Sequence, residues 1–332
     1  MSKDRLNIAV LGCGRIGKVH AQTIAENPRA SLAAVADAMP AVTELVAAQY
    51  GARAADVGSI MADDAINAVI ISTPTDTHQD LILRACEAGK AILCEKPVDM
   101  SVDAIERAKA AVEAASVRFM TGFNRRFDPH FAELGGQLRD GAIGDIETVT
   151  ITSRDPAPPP ISYINSSGGI FRDMMIHDLD MARFLLGEEP IRVFATGSCL
   201  VDPAIGEAGD IDTANVILET GSGRQVQITN SRRATYGYDQ RIEVHGSKGM
   251  LRVGNVLETG VERADGGGFR KSPAQPFFLE RYGQAYRAEM GTFVDAMLDG
   301  RPISPSIKDG LEAQRLADAA SVSWSTGQPV AL

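Results

Sequence analysis

Three glycines, Gly12, Gly14 and Gly17, punctuate the run Gly12-Cys13-Gly14-Arg15-Ile16-Gly17, and an acidic residue, Asp37, follows twenty positions after the last of them. Glycines at this spacing can hold a pyrophosphate without a charged side chain. The first permits a tight turn, the second lets backbone N–H groups approach the phosphates, and the third lets a helix pack closely on a strand. The helix starting there would aim its free N–H groups and the positive end of its dipole at the anion. A carboxylate at Asp37 would accept hydrogen bonds from ribose hydroxyls and repel a 2′-phosphate, and Ala38 offers no cation to receive one. GxGxxG alone is a weak signal, but strand, turn, helix, strand and acid in that order are strong together. The expected cofactor is NAD rather than NADP.

A second set of ionisable residues lies far along the chain. On a helix, Asp173 stands four residues before His177 and Asp180 three after, so the three can share one face. Imidazole titrates close to neutrality and can take up a proton. The same spacing also describes an ordinary solvated helix surface, and both readings stay open at this point. Two polar segments, Thr73-Pro74-Thr75-Asp76-Thr77-His78 and Glu95-Lys96-Pro97, fall at expected strand ends, where open parallel sheets bind ligands. Either alone could be only a polar loop.

The elements that must carry these residues are legible as two patterns. Leu6 to Leu11 and Leu32 to Ala36 are apolar runs suited to strands buried on both faces. Helix at Ile16–Ala25 separates them, and the alternation continues with helix 42–50, strand 68–72, helix 78–88, strand 91–94, helix 102–115 and strand 118–121. Repeated strand–helix units predict a Rossmann-type, doubly wound parallel sheet over residues 1–122. From residue 123 to 332 the pattern becomes alternating segments at 147–153, 192–196, 214–218, 225–230, 241–245 and 250–253, which predict a mostly antiparallel open sheet. Helices are expected at 174–186, stopping at Gly187, and at 284–298 and 309–326, and a return of the C-terminal helices onto the first domain is an open alternative to their packing within the second. The proline cluster 157–160 and the glycine tract 266–268 read as exposed loops. The fold class is α/β, with a second domain of α+β type, and an uncovered sheet face in that domain suggests a homo-oligomer.

Composition narrows the function classes. A net charge of −10 without any basic run argues against nucleic acid. Four cysteines without metal-ligand spacing suit a reducing cytoplasm. No segment reaches the ~20 apolar residues of a membrane span, and Ile8 to Leu11 is shorter than the roughly 7–15 residues of a signal-peptide core.

These motifs, together with His20, Gly122-Phe123-Asn124-Arg125-Arg126-Phe127-Asp128 and Gly168-Gly169-Ile170-Phe171-Arg172-Asp173-Met174-Met175-Ile176-His177-Asp178, resemble the Gfo/Idh/MocA dehydrogenases over nearly the whole chain. Asp212-Thr213-Ala214 and the run Asn230 to Arg241 are similar to the inositol-oxidising branch of that family, whereas Gly246-Ser247-Lys248-Gly249 is common to the family at large. The resemblance implies hydride transfer from a small polyol to NAD in a homotetramer. It implies cofactor contacts from Gly12, Gly14, Arg15, Ile16, Gly17, Asp37, Ala38, Ser72, Thr73, Pro74, Thr75, His78, Glu95 and Lys96. It also implies His177 as the base, Asp173 orienting it or gripping a neighbouring hydroxyl, and Lys96 at the reacting oxygen, with a cis peptide expected at Pro97. Arg125, Asn165, Tyr236 and Tyr282 are expected to contact the polyol. Tyr236 could instead be a packed core aromatic, and Arg125 a surface ion-pair member. The alternatives are a scyllo-inositol or aldose dehydrogenase, an enzyme using bound NAD transiently, and a non-catalytic NAD-sensing protein.

Overall fold

The computed structural model describes residues 5–332. The chain packs as two compact units, the first running through Phe127 and including Ala285–Gln314, the second comprising Asp128–Gln284 and Arg315–Leu332. The turn after residue 122 and the returning segment thus belong with the first sheet. The reason is apolar burial: Met290, Phe293 and Val294 of the helix Gly283–Asp299 share one core with Ile8, Val10, Ile70 and Leu93.

In the first unit six parallel strands stand in the order β3 (Arg53–Ala54), β2 (Ala30–Ala36), β1 (Leu6–Leu11), β4 (Ala68–Ile71), β5 (Ala91–Glu95) and β6 (Phe119–Gly122). Val, Ile and Leu dominate the central strands, and β4 is buried at all four positions. This is the signature of a sheet covered on both faces. Strand order reverses beside β1, which pairs with β2 on one side and β4 on the other. Loops leaving β1 and β4 therefore diverge to opposite faces and open a crevice at the carboxyl ends of the strands.

The second unit contains a seven-stranded sheet ordered β12 (Gly249–Val253), β11 (Asp239–Gly246), β7 (Ile146–Arg154), β10 (Gln225–Ser231), β9 (Thr213–Thr220), β8 (Pro190–Ser198) and β15 (Val330–Ala331). All pairs are antiparallel except β7 with β10. Alternation sets the two faces: Val226, Ile228 and Asn230 are buried while Gln225 and Gln227 are exposed. The helix Ile176–Leu186 lies against β7, and Ser153 Oγ donates to Asp178 across that contact at 2.6 Å. The opposite face leaves Phe194 of β8 and its register partner Ile217 of β9 exposed.

Three differences from the sequence pattern bear on the site. The expected helix 174–186 starts earlier, as a π-helical turn over Phe171–Met175; such turns concentrate at functional positions. A helix at Pro129–Arg139 was not anticipated, although Asp128 caps it by accepting from the His130 and Phe131 N–H groups, with Pro129 at its first position. The glycine tract 266–268 is the turn of an exposed hairpin, β13 (Glu262–Asp265) with β14 (Gly268–Lys271), rather than a plain loop. Among the described residues, no helix is long and apolar enough to cross a membrane.

Candidate active site

In the first unit, the three glycines of the turn meet three different steric demands. Gly12 has φ +92°, and a Cβ there would lie 2.6 Å from the Ser72 carbonyl. A Cβ on Gly17 would lie 1.8 Å from the Gly12 carbonyl oxygen, so the helix Arg15–Glu26 can seat on the turn only without a side chain. Gly14 differs, because a Cβ there would meet no atom within 4 Å. The open side of the turn is therefore at Gly14, beside the helix N-terminus, as a phosphate cradle requires. Arg15 is exposed and Ile16 half-buried beside it.

Asp37 is tied to that turn. Its Oδ2 accepts the Cys13 N–H at 2.7 Å and its Oδ1 the Met39 N–H at 2.9 Å. Each oxygen keeps a further lone pair, enough for two ribose hydroxyls. Burial first, then the nearby Asp37 charge, push the Cys13 thiol up to about 11, so it stays a neutral packing group. Ala38 is exposed beside Asp37. Together the open Gly14 and the braced carboxylate fit an adenine dinucleotide without a 2′-phosphate.

The strand-end segments close this half of the site. Ser72 Oγ donates to the Gly12 carbonyl at 2.9 Å, tying β4 to the glycine turn. Thr77 Oγ1 donates to the Pro74 carbonyl and accepts from the Thr73 hydroxyl, both at 2.7 Å, which holds the loop through Thr75 in shape. His78 is 1 % exposed, its Nδ1 3.0 Å from the Pro97 carbonyl and its Nε2 2.9 Å from the Thr73 carbonyl. It acts here by linking two cofactor-side loops rather than by facing outward. Burial lowers its pKa against the pull of the two carbonyls. The Lys96–Pro97 peptide is cis. Glu95 is held by His20 Nε2 at 2.7 Å. Arg125 is 5 % exposed, in the turn Asn124–Phe127 that follows β6.

In the second unit, Asp173 lies in the π-helical turn and His177 in the first turn of the following helix. Asp173 Oδ1 accepts the Tyr163 hydroxyl at 2.8 Å, and its Oδ2 lies 3.6 Å from the guanidinium of Arg232. Desolvation, and then the Asp173 carboxylate, raise the Tyr163 phenol well above its ordinary value, so it remains a donor. Asp180 does not join a solvated face. It is 1 % exposed and 3.7 Å from Arg183.

Asn165 is exposed on the same short helix as Tyr163, Ile161–Ser167. Tyr236 is half-exposed, its hydroxyl donating to Asp239 at 2.6 Å and accepting from Arg154 at 2.8 Å. Tyr282, by contrast, is a core aromatic, 2 % exposed and edge-on to Tyr238.

Tyr163 and Arg232 are functional candidates that the sequence pattern did not single out. Arg232 lies inside the branch-typical run Asn230 to Arg241, which was a usable signal. Tyr163 lies in a stretch without a fixed pattern, and only its contact with Asp173 identifies it.

Comparison with known proteins agrees with this layout. Residues 6–123 match the oxidoreductase family model with an NAD-binding Rossmann fold, and residues 131–252 match the Gfo/Idh/MocA C-terminal domain. The inositol 2-dehydrogenase of Rhizobium meliloti (strain 1021) is 54 % identical over 95 % of this chain and 96 % of its own. A solved myo-inositol dehydrogenase from Corynebacterium glutamicum has TM-score 0.95 and 44 % identity, covering 99 % of both chains. A scyllo-inositol dehydrogenase from Lactobacillus casei, solved with bound NAD(H) and scyllo-inositol, has TM-score 0.92 and 30 % identity over 98 % of this chain and 99 % of its own. With both domain models matched in sequence order and near full-length similarity, the chain belongs to the Gfo/Idh/MocA family of NAD-dependent oxidoreductases.

Proposed function

We propose that this protein oxidises a cyclitol, myo-inositol, to its 2-keto product, with release of a proton and formation of NADH. The observation that carries the reading is the near full-length similarity to proteins named as inositol dehydrogenases. The second unit adds an acceptor, Asp173, gripped by Tyr163 and Arg232 four residues before a histidine.

Gly12, Gly14, Gly17 and Asp37 hold the cofactor, with Arg15, Ile16, Ala38, Ser72, Thr73, Pro74, Thr75, Glu95 and Lys96 around it and His78 bracing two of its loops. Bound NAD supplies the hydride acceptor. His177 takes the proton of the reacting hydroxyl and passes it to solvent. Lys96 places positive charge at the oxygen where negative charge develops. Asp173 accepts a hydrogen bond from a neighbouring hydroxyl, which fixes which carbon reacts. Arg125, Asn165 and Tyr236 supply further polar contacts to the ring.

We place the enzyme in a reducing cytoplasm, in keeping with its four free cysteines. Copies pair through the open sheet face bearing Phe194 and Ile217 to give a homotetramer, which light scattering can measure. The activity test is NADH absorbance from purified protein supplied with NAD and myo-inositol, scyllo-inositol or glucose. Myo-inositol should give the highest kcat/KM, and no NADH from any of the three rejects the reading. His177→Ala should lower turnover by on the order of 100-fold or more while NAD binding is kept.

A further inference from the structure

Three ionisable side chains of the first unit converge beside the Lys96 turn, and of them only Glu95 has a place in the reading above, near the cofactor. His20 comes from the helix Arg15–Glu26, Glu95 from the end of β5, and Glu289 from the helix Gly283–Asp299. One ligand-type atom from each lies within 4.8 Å of the other two. Glu95 keeps 12 % exposure and has the imidazole 2.7 Å away. Glu289 is 0 % exposed, and among the described residues no N–H or O–H group reaches either of its carboxylate oxygens. The edge of the Tyr286 ring closes the cluster over His20, with centroids 5.9 Å apart at 89°.

A fully buried carboxylate without a donor, facing a second carboxylate, is an arrangement that folded proteins avoid. One proton resolves it. A protonated carboxyl offers an O–H donor where the ionised form offers only acceptors. Of the two acids, Glu289 is the one to carry it, because Glu95 already has the imidazole and some solvent. Burial, with the Glu95 charge added, pushes the Glu289 carboxyl well above the usual carboxylate range.

We propose that Glu289 is a positioning residue for the Lys96 turn, held as the neutral acid and donating toward Glu95, so that Glu95 is fixed by His20 and Glu289 together. Glu95 is the chain neighbour of Lys96 and packs on Gly122, where a Cβ would lie 3.1 Å from it. Its orientation therefore sets the start of the lysine turn. The inference rests on the reading of Lys96 as the group at the reacting oxygen.

The test is infrared spectroscopy of the resting, full-length enzyme at neutral pH without substrate, compared with Glu289→Gln. The wild type should show the C=O stretch of a protonated carboxylic acid that shifts on deuteration, and the variant should lack it. Kinetics give a second readout. Glu289→Gln keeps an N–H donor and should retain kcat within a few-fold, whereas Glu289→Leu removes the donor and should lower kcat on the order of tenfold. Superimposable infrared spectra would overturn the proposal. So would one equivalent of divalent metal per chain that the Gln variant loses, since a metal on these groups requires an ionised Glu289. Absence of NADH formation by wild-type protein would overturn the functional reading and leave the band in place.

Discussion

The guanidinium of Arg232 stands 3.6 Å from the Asp173 carboxylate and 3.6 Å from that of Asp210, with its side chain only 1 % exposed. Asp210 in turn accepts the Ile170 N–H at 3.1 Å, at the entry to the π-helical turn. One buried cation thus anchors both the segment that carries Asp173 and the acid itself. Held by Arg232 at one carboxylate oxygen and by the Tyr163 hydroxyl at the other, the Asp173 carboxylate has a fixed direction, as gripping a hydroxyl requires.

Replacing Arg232 by Met should therefore do two separable things. Leaving two carboxylates without their shared cation should reduce unfolding stability by about 3 kcal/mol, read from urea titration. Turnover should fall at least on the order of tenfold, while the NAD dissociation constant stays unchanged, because the glycine turn and Asp37 belong to the other unit. Unchanged turnover in a folded Arg232→Met protein would remove Arg232 from the set that prepares Asp173.

Tyr163 tests the same acid from its other oxygen. Its phenol is raised far enough that it does not titrate in the working range, so it acts as a fixed donor and not as a base. Tyr163→Phe should lower kcat/KM about tenfold, the worth of one hydrogen bond to a charged group, by the same factor at every pH. A shift in the midpoint of the pH profile would instead place a titrating role on Tyr163.

Asp212, typical of the inositol branch by sequence, is explained by local structure. Its carboxylate is fully buried and accepts the Leu200, Val201 and Asp202 N–H groups at 2.8, 2.8 and 3.0 Å and the Thr213 hydroxyl at 3.0 Å. Desolvation alone would raise its pKa, but the backbone donors outweigh it and the net direction is down. With a folded-state pKa below the unfolded value of about 3.9, the stability this group contributes is present above that value and is lost as pH falls through the folded pKa. Denaturation midpoints should therefore drop below about pH 4 more steeply in the wild type than in Asp212→Asn. Equal slopes would mean that the carboxylate gains nothing on folding.

The first unit was largely legible because its signals are local. A glycine turn, an acid at fixed distance and short apolar runs all lie within stretches that one strand–helix unit spans. Less was legible in the second unit, where roles depend on which side chains meet. Asp173 and Asp180 have similar spacing to His177, yet one meets Tyr163 and Arg232 while the other pairs with Arg183. Tyr236 and Tyr282 looked alike as polyol contacts, but only Tyr236 leaves surface exposed. The return of helix Gly283–Asp299 to the first sheet, and with it the placement of Glu289, is a long-range packing event that no local periodicity encodes.

The glycine turn gives the sharpest separation of folding from binding. Gly17→Ala would force a Cβ to within 1.8 Å of the Gly12 carbonyl oxygen, a backbone atom that cannot swing away. That substitution should reduce stability by about 3 kcal/mol, the upper range of overpacking, and weaken NAD binding as a consequence. Gly14→Ala is the opposite case. Its φ of −69° and ψ of −160° suit any residue, and the added methyl meets no protein atom within 4 Å. Unfolding stability should therefore stay within about 0.5 kcal/mol of wild type. If the open side of Gly14 is where backbone approaches the pyrophosphate, the methyl occupies that approach, and the NAD dissociation constant should rise on the order of tenfold or more. Calorimetric NAD titration of the two variants beside their urea curves decides it. Unimpaired NAD binding by Gly14→Ala would place the phosphates elsewhere on the first unit.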